Sequence, residues 1–417
     1  MAQGAPEPER LRTRCCIAGG GPAGMMLGYL LARAGIETLV LEKHGDFLRD
    51  FRGDTIHPST LELMHELGIL DEFLARPHQE TRQLDAQVGD ATLTIADFTH
   101  LPTRCRFIAF MPQWDFLAFI AERARHYPAF SLRMETEATG LIREGDRIAG
   151  VLAKSPHGAL EVRADLIVGA DGRHSTLRSQ AGLEVEELGA PMDVLWMRLS
   201  RRASDPGNSF GRAGAGRILV LIDRRDYWQC AFLIRKGTFD EIRNRGMPAF
   251  REEMAGIAPF LRDRVDELQD WKQISLLTVA VNRLRQWYRP GLLCIGDAAH
   301  AMSPIGGVGI NLAIQDAVAT ANLLTPRFVA GGVTTAELKR VQRRRELPTR
   351  LTQGIQVFIQ NRVIGGVLGS NQSPRLPLAL RLLRRSPRLR RLVARIVGIG
   401  FRPEHIKTPD TGATASI

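Results

Sequence analysis

The spacing Gly19-x-Gly21-x-x-Gly24 constrains this chain more than any other feature, because of what stands on either side of it. An apolar run, Thr13 to Ala18, reads as a buried strand, and Met25 to Ala34 follows with Leu27, Leu30 and Leu31 at helical spacing. Gly35 stops that helix, and a second apolar run, Thr38 to Leu41, ends on Glu42. The pattern is a βαβ unit with its glycines at the first tight turn. Gly19 permits the turn, Gly21 lets a pyrophosphate approach the backbone, and Gly24 lets helix and strand pack closely. Glu42 stands where an acid accepts hydrogen bonds from a ribose, with Lys43 beside it. An adenine dinucleotide site follows, without a choice between FAD and NAD.

A distant segment makes that choice. Leu292 to Ile295 reads as another buried strand and delivers Gly296-Asp297-Ala298-Ala299-His300. Pro304, Gly306, Gly307, Gly309, Ile310 and Asn311 lead from there into an apolar-periodic helix. A helix start reached through glycines exposes N–H groups and partial positive charge. An NAD dehydrogenase needs no such late loop. An extended FAD does, because its flavin end lies far from the first βαβ turn.

At this point the chain resembles the group A flavoprotein monooxygenases, the aromatic hydroxylases with the para-hydroxybenzoate hydroxylase fold. The resemblance spans roughly residues 13 to 345. It rests on Gly19, Gly21, Pro22, Ala23 and Gly24 with Glu42, and on Arg52 as a pyrophosphate contact. Gln113 after Met111-Pro112, the Asp171-Gly172 pair with Arg178, Gly296-Asp297, and Pro304 with Gly307, Gly309, Ile310 and Asn311 complete it. The resemblance implies bound FAD and NAD(P)H as a co-substrate without a second Rossmann loop. It implies that O2 reacts through a C4a-hydroperoxyflavin to hydroxylate an aromatic or quinone-like small molecule. A reductase of the geranylgeranyl-reductase type and a flavin-bearing binding protein without turnover remain alternatives. A flavin-dependent halogenase is disfavoured because the chain lacks Trp-x-Trp-x-Ile-Pro.

The expected fold is α/β, and α+β overall. A Rossmann-like FAD domain carries an inserted antiparallel substrate sheet and a helical C-terminus. Its segments are a disordered leader (1–12), a discontinuous FAD domain (13–84, 105–189 and 286–345), a substrate sheet (85–104 and 190–285) and a basic helical region (346–417). Candidates for touching flavin or substrate are His57, close after Arg52, and Tyr227 and Gln229, which share one face of a predicted strand. His300 reads as structural.

The five cysteines show no metal or disulfide spacing, which points to reduced thiols, a cytoplasmic setting and no metal site. Nine of the eleven surplus positive charges, Arg375, Arg381, Arg384, Arg385, Arg388, Arg390, Arg391, Arg395 and Arg402, fall between Pro374 and Pro403. Leu376, Leu380, Leu383, Leu389 and Leu392 interleave with them, and Pro387 opens a second helix after Ser386. That pattern fits helices packed on the body, or a contact with the inner face of a membrane. Without interleaved aromatics it does not fit nucleic acid. A homodimer is compatible with the sequence.

Overall fold

The computed structural model describes residues 7–48, 55–89, 91–206, 209–214, 216–370 and 378–412. Its first strand, β1 (Glu9–Ala18), sits inside a sheet, with parallel partners on both sides. One partner is β2 (Thr38–Leu41), reached through helix α1 (Pro22–Arg33); the other is the strand Gly158–Gly169. The latter in turn pairs in parallel with Leu292–Cys294. These strands read as continuous apolar runs because both faces of a parallel sheet are covered. Cys15, Cys16, Ile17, Val168 and Leu293 are all fully buried.

Register decides where the site must lie. Ala18 stands opposite both Leu41 and Gly169, and Gly169 stands opposite Cys294. Four strands therefore end level on one edge. Each releases a loop there, bearing Gly19, Glu42, Asp171 and Asp297 respectively. Ligands of open parallel sheets bind at that carboxyl edge.

A second sheet runs in the order Ser275–Leu277, Met192–Ser200, Tyr227–Arg235, Arg217–Asp223, Phe210–Gly214, Gln83–Val88 and Ala91–Asp97. All its pairings are antiparallel except the one between Phe210–Gly214 and Gln83–Val88. On one face Trp228, Phe232 and Leu219 pack beneath the helix Met247–Ile257 with Phe250 and Met254. The run from Phe239 to Gly256 reads as one helical insert in the sequence, but Gly246 (φ 85°) separates it into the helices Phe239–Asn244 and Met247–Ile257.

The boundaries differ from the sequence reading in three places. β1 begins at Glu9, inside the expected leader, because Glu9 already pairs with Leu160. The alternating run Ile274–Val281 reads as one strand in the sequence but is a strand only over Ser275–Leu277, since the Val279 N–H turns to Asp193 Oδ1 (3.0 Å). The boundary expected after residue 345 falls inside one continuous helix, Thr335–Ile359. Arg345 is buried there on Asp316, so the helix belongs to the body.

The arginine-rich region forms helices Leu378–Arg385 and Pro387–Gly398, and Ser386 Oγ accepts from the Leu389 N–H at their junction. Ala394 packs with Phe98 and Leu101. The chain then returns to α1, where Arg33 pairs with Asp410 and the Thr411 N–H donates to the Arg33 carbonyl.

Candidate active site

A single cavity of about 760 Å³ runs from the first glycine turn, past the level strand ends, to the second sheet. That volume lies within the roughly 300–1,000 Å³ of small-molecule and cofactor sites. Gly19, Gly21, Pro22, Ala23, Glu42 and Lys43 line one end. Gln113, Asp171 and Asp297 line the middle, and Pro304, Gly307, Gly309 and Ile310 line the turn toward the sheet. Segments nearly three hundred residues apart thus meet around one space.

Backbone geometry explains the first turn. Gly19 has φ of 109°, and a Cβ there would lie 2.2 Å from the Ala170 carbonyl oxygen. A Cβ on Gly24 would lie 1.9 Å from the Gly19 oxygen, so Gly24 shapes the turn without lining the cavity. The Gly20 N–H donates to Glu42 Oε2 (2.9 Å), and the His44 N–H donates to Oε1 (3.1 Å). Glu42 is only 7% exposed and is held between the glycine turn and its own loop.

In the middle, the Asp171 carboxylate accepts from Ser175 Oγ and from the Leu177 N–H (3.2 Å), capping the short helix Thr176–Gln180. Burial pushes this carboxyl above its ordinary value despite those bonds. Arg178 does not line the cavity. Its guanidinium donates to the carbonyls of Ala298 (3.2 Å) and Arg173 (2.7 Å), tying the Asp171 loop to the Asp297 loop. Arg173 and His174 do line it, and Arg173 Nη2 lies 3.4 Å from Asp297 Oδ2. Both residues directly follow the Asp171-Gly172 pair, which is the signal for them in the sequence.

At the far loop, the helix Val308–Val329 starts from Gly307 in a left-handed conformation (φ 63°, ψ 23°) with no side-chain cap. Its first N–H groups are left for a ligand, as are those of α1, which also lacks a side-chain cap. Two uncapped helix starts facing one cavity fit a long ligand with a pyrophosphate and an electron-rich ring. Gly296 packs between Ala23 and Ala313 and stays outside the lining. Asn311 also stays outside. Its Oδ1 accepts from the His57 N–H (2.8 Å) and Thr60 Oγ1 (2.8 Å), and its amide donates to the carbonyls of Thr55 (2.9 Å) and Gly307 (3.2 Å).

Beneath this loop, Asp316 is fully buried. It accepts from the Gly296 N–H (3.1 Å) and Arg345 Nε (2.9 Å) and contacts His300 Nε2 (2.6 Å). Burial alone would raise its carboxyl, but His300 and Arg345 outweigh burial and hold it below the ordinary value. His300 is therefore part of an ionic clamp under the loop, as its sequence context indicated.

None of the three candidates for touching flavin or substrate lines the cavity. His57 is buried, with Nδ1–H donating to the Val397 carbonyl (2.8 Å), and burial lowers its imidazole to about 4. Tyr227 stacks under the Arg198 guanidinium at 3.8 Å, and Gln229 Oε1 accepts from Arg224 Nε (3.0 Å). Both share strand parity with the cavity-lining Ala231 and Leu233 but stand farther along the strand. Arg52 lies outside the described residues. Among the described residues no His/Cys/Asp/Glu cluster could hold a metal, and all five cysteines are free and buried.

A family of FAD binding domains matches residues 12–346. The 6-methylpretetramide 4-monooxygenase of Streptomyces rimosus is 34% identical over 393 residues, covering 94% of this chain and 93% of that protein. The chain belongs to the group A flavoprotein monooxygenases. It is an FAD-dependent oxidoreductase that takes NAD(P)H as co-substrate and O2 to oxygenate an aromatic small molecule. The 3-demethoxyubiquinol 3-hydroxylase of Escherichia coli is 25% identical over 360 residues, covering 83% of this chain and 89% of that one. The structure of OxyS anhydrotetracycline hydroxylase from Streptomyces rimosus matches in fold with a TM-score of 0.73 at 24% identity, covering 93% of this chain and 76% of that one.

Proposed function

We propose that this monooxygenase hydroxylates a phenolic ring within a multi-ring aromatic substrate. The observation that carries the reading is the cavity's second half. Beyond Pro304 and Ile305 it opens onto the apolar face of the second sheet, lined by Met192, Val194, Val220, Leu233 and Leu277. Such a surface takes a flat apolar ring system and leaves polar selection to few groups. The name of the Streptomyces relative, a pretetramide monooxygenase, agrees with that shape.

In the proposed assignment, Gly19, Gly21, Pro22, Ala23 and Glu42 hold the adenosine end of FAD, with Lys43 beside it. Gln113, Asp171 and Asp297 hold the middle, and Pro304, Gly307, Gly309 and Ile310 hold the flavin end. Gly24, Arg178, Gly296 and Asn311 act by shaping these loops, and Arg52 is proposed for the pyrophosphate. The FAD unit is assigned to 13–84, 105–189 and 286–345, and the substrate unit to 85–104 and 190–285. When bound, FAD supplies the redox and oxygen-activating chemistry. The chain's own part is positioning and electrostatics. N–H groups at the start of Val308–Val329 would favour negative charge on a group held at that end of the cavity. The apolar side chains Met192, Val194, Val220, Leu233 and Leu277 offer water no hydrogen-bond partner on that side of the cavity.

The test is a panel of phenols and quinones added to purified, FAD-loaded protein with NADPH. A substrate is expected to accelerate flavin reduction, draw O2 in step with NADPH, and leave a product heavier by one oxygen atom. NADPH oxidation without substrate-dependent O2 uptake favours a reductase, and no stimulation by any compound overturns the reading.

A peripheral membrane contact of the arginine-rich helices is also proposed. Leu382, Leu389 and Leu392 are exposed among Arg381, Arg384, Arg385, Arg388 and Arg391. Apolar side chains set among cations suit an anionic bilayer surface. Among the described residues no helix is long and apolar enough to cross a membrane. The protein is expected to float with anionic vesicles and not with neutral ones. Leu382→Glu with Leu392→Glu should abolish flotation; equal behaviour of parent and variant on both vesicle types refutes the contact.

A further inference from the structure

The relief of the chamber floor follows from strand register. One row crosses the second sheet as Trp196, Ala231, Val220, Gly211 and Ala86, each paired with the next. The adjoining row is Leu277, Val194, Leu233 and Ile218. Every residue of both rows lines the cavity. Residues paired in a row project from the same face, with neighbouring Cβ atoms about 4.5–5.5 Å apart. The second row is built of branched side chains throughout. The first falls away beyond Trp196, with Val220 its sole branched member.

Gly211 is the lowest point of that floor. A Cβ placed there would meet no atom within 4 Å, so the volume above it is open. Its φ is not among the positive values, so the backbone conformation does not call for glycine. Glycine inside a strand weakens the strand and often marks a close approach by something else. In this case the space above it belongs to the substrate half of the cavity.

We propose that Gly211 is the residue that fixes which aromatic substrates enter, by leaving a recess beside Val220 for a fused system of three or more rings. From Ala231 to Ala86 the row crosses three strand spacings, about 14 Å at roughly 4.8 Å each, with Val220 the one raised member between its small residues. A single ring fills only part of that length. Trp196 closes one end with an aromatic wall. This inference rests on the aromatic-hydroxylase reading and adds the size and shape of the substrate.

The experiment titrates oxidised, FAD-loaded protein with two probes, phenol and 1-hydroxyanthraquinone, following the flavin absorbance change. The parent is expected to bind the three-ring probe more tightly than phenol. Gly211→Leu is expected to weaken the three-ring probe by about tenfold or more, the scale on which pockets reject added methylenes. Phenol affinity and FAD content should stay as in the parent, and Gly211→Ala should fall between the two. Ala86→Leu, on the neighbouring strand, should repeat the selective loss by filling the same recess from its end. Undiminished binding of 1-hydroxyanthraquinone by both leucine variants, or no preference for it in the parent, overturns the proposal. Because binding needs no turnover, a parent that binds selectively but oxygenates nothing refutes the hydroxylase reading and leaves the recess standing.

Discussion

Glycine serves opposite purposes at the two ends of this cavity. At the first turn it is demanded by crowding: a Cβ on Gly24 would lie 1.9 Å from a backbone oxygen. On the sheet floor it coincides with emptiness, since a Cβ on Gly211 would touch nothing within 4 Å. The polar end binds through a backbone that is held in one conformation and tolerates no addition. The apolar end binds through the absence of atoms. The first kind of site is rigid by construction, whereas the second can be reshaped without disturbing the fold.

Substitutions that test the contrast fall in a clear order. Arg345→Met should have the largest effect. It strips the cation from Asp316 and Glu404, both on the buried side of the loop clamp, and loss of one partner from a buried ion pair costs about 3–5 kcal/mol. Denaturant midpoints measure it, and a change near zero would mean that the clamp does not hold the Asp297 loop. Gly24→Ala should follow at about 3 kcal/mol or slightly more, because its neighbour is backbone and cannot yield. It should also lose FAD content.

A comparable effect should appear with pH. Burial lowers the His57 imidazole from 6.5 to about 4, so the folded protein keeps it neutral where the unfolded chain takes up a proton. Stability contributed by this group is present above pH 6.5 and is lost as pH falls toward about 4, up to roughly 3 kcal/mol. In denaturation curves across that window, His57→Gln should flatten this part of the slope. An unchanged slope would place the acid sensitivity elsewhere.

Asp297→Ala should weaken FAD retention by about 1.5–3 kcal/mol, the worth of a hydrogen bond to a charged group. FAD held as tightly as by the parent would remove Asp297 from the cofactor assignment. Gly211→Ala should be the smallest, shifting stability by less than about 0.5 kcal/mol. A large destabilisation there would abolish the contrast between the two ends.

The same contrast explains what could be read in advance. A ligand bound by loop backbone leaves its mark in contiguous residues, and Gly19 to Gly24, Asp171 and Gly296 to Ile310 were legible for that reason. Gly24, Gly296 and Asn311 belong to those motifs yet act from behind the wall, which spacing alone does not distinguish. The chamber floor was different. It is assembled from alternate residues of strands as distant as Gln83–Val88 and Ser275–Leu277, paired in an order the chain does not follow. Tyr227 and Gln229 have the right strand parity but the wrong height, because parity is local whereas height depends on partners elsewhere. Arg173 and Arg178 lie five residues apart around one loop, and only the folded loop decides which of them faces the cavity. The buried partnership of His57 with Val397 joins two segments that no local pattern connects.

The central position of β1 has a consequence in time. It is made long before its partner strand Gly158–Gly169 and that strand's own neighbour Leu292–Cys294. The glycine turn that follows β1 therefore stays unfinished through most of synthesis. The opposing loop, through Ile310, must leave the ribosome before the two can face each other. Capture of the cofactor between these two loops therefore waits on the last third of the sequence, however early the first turn is made.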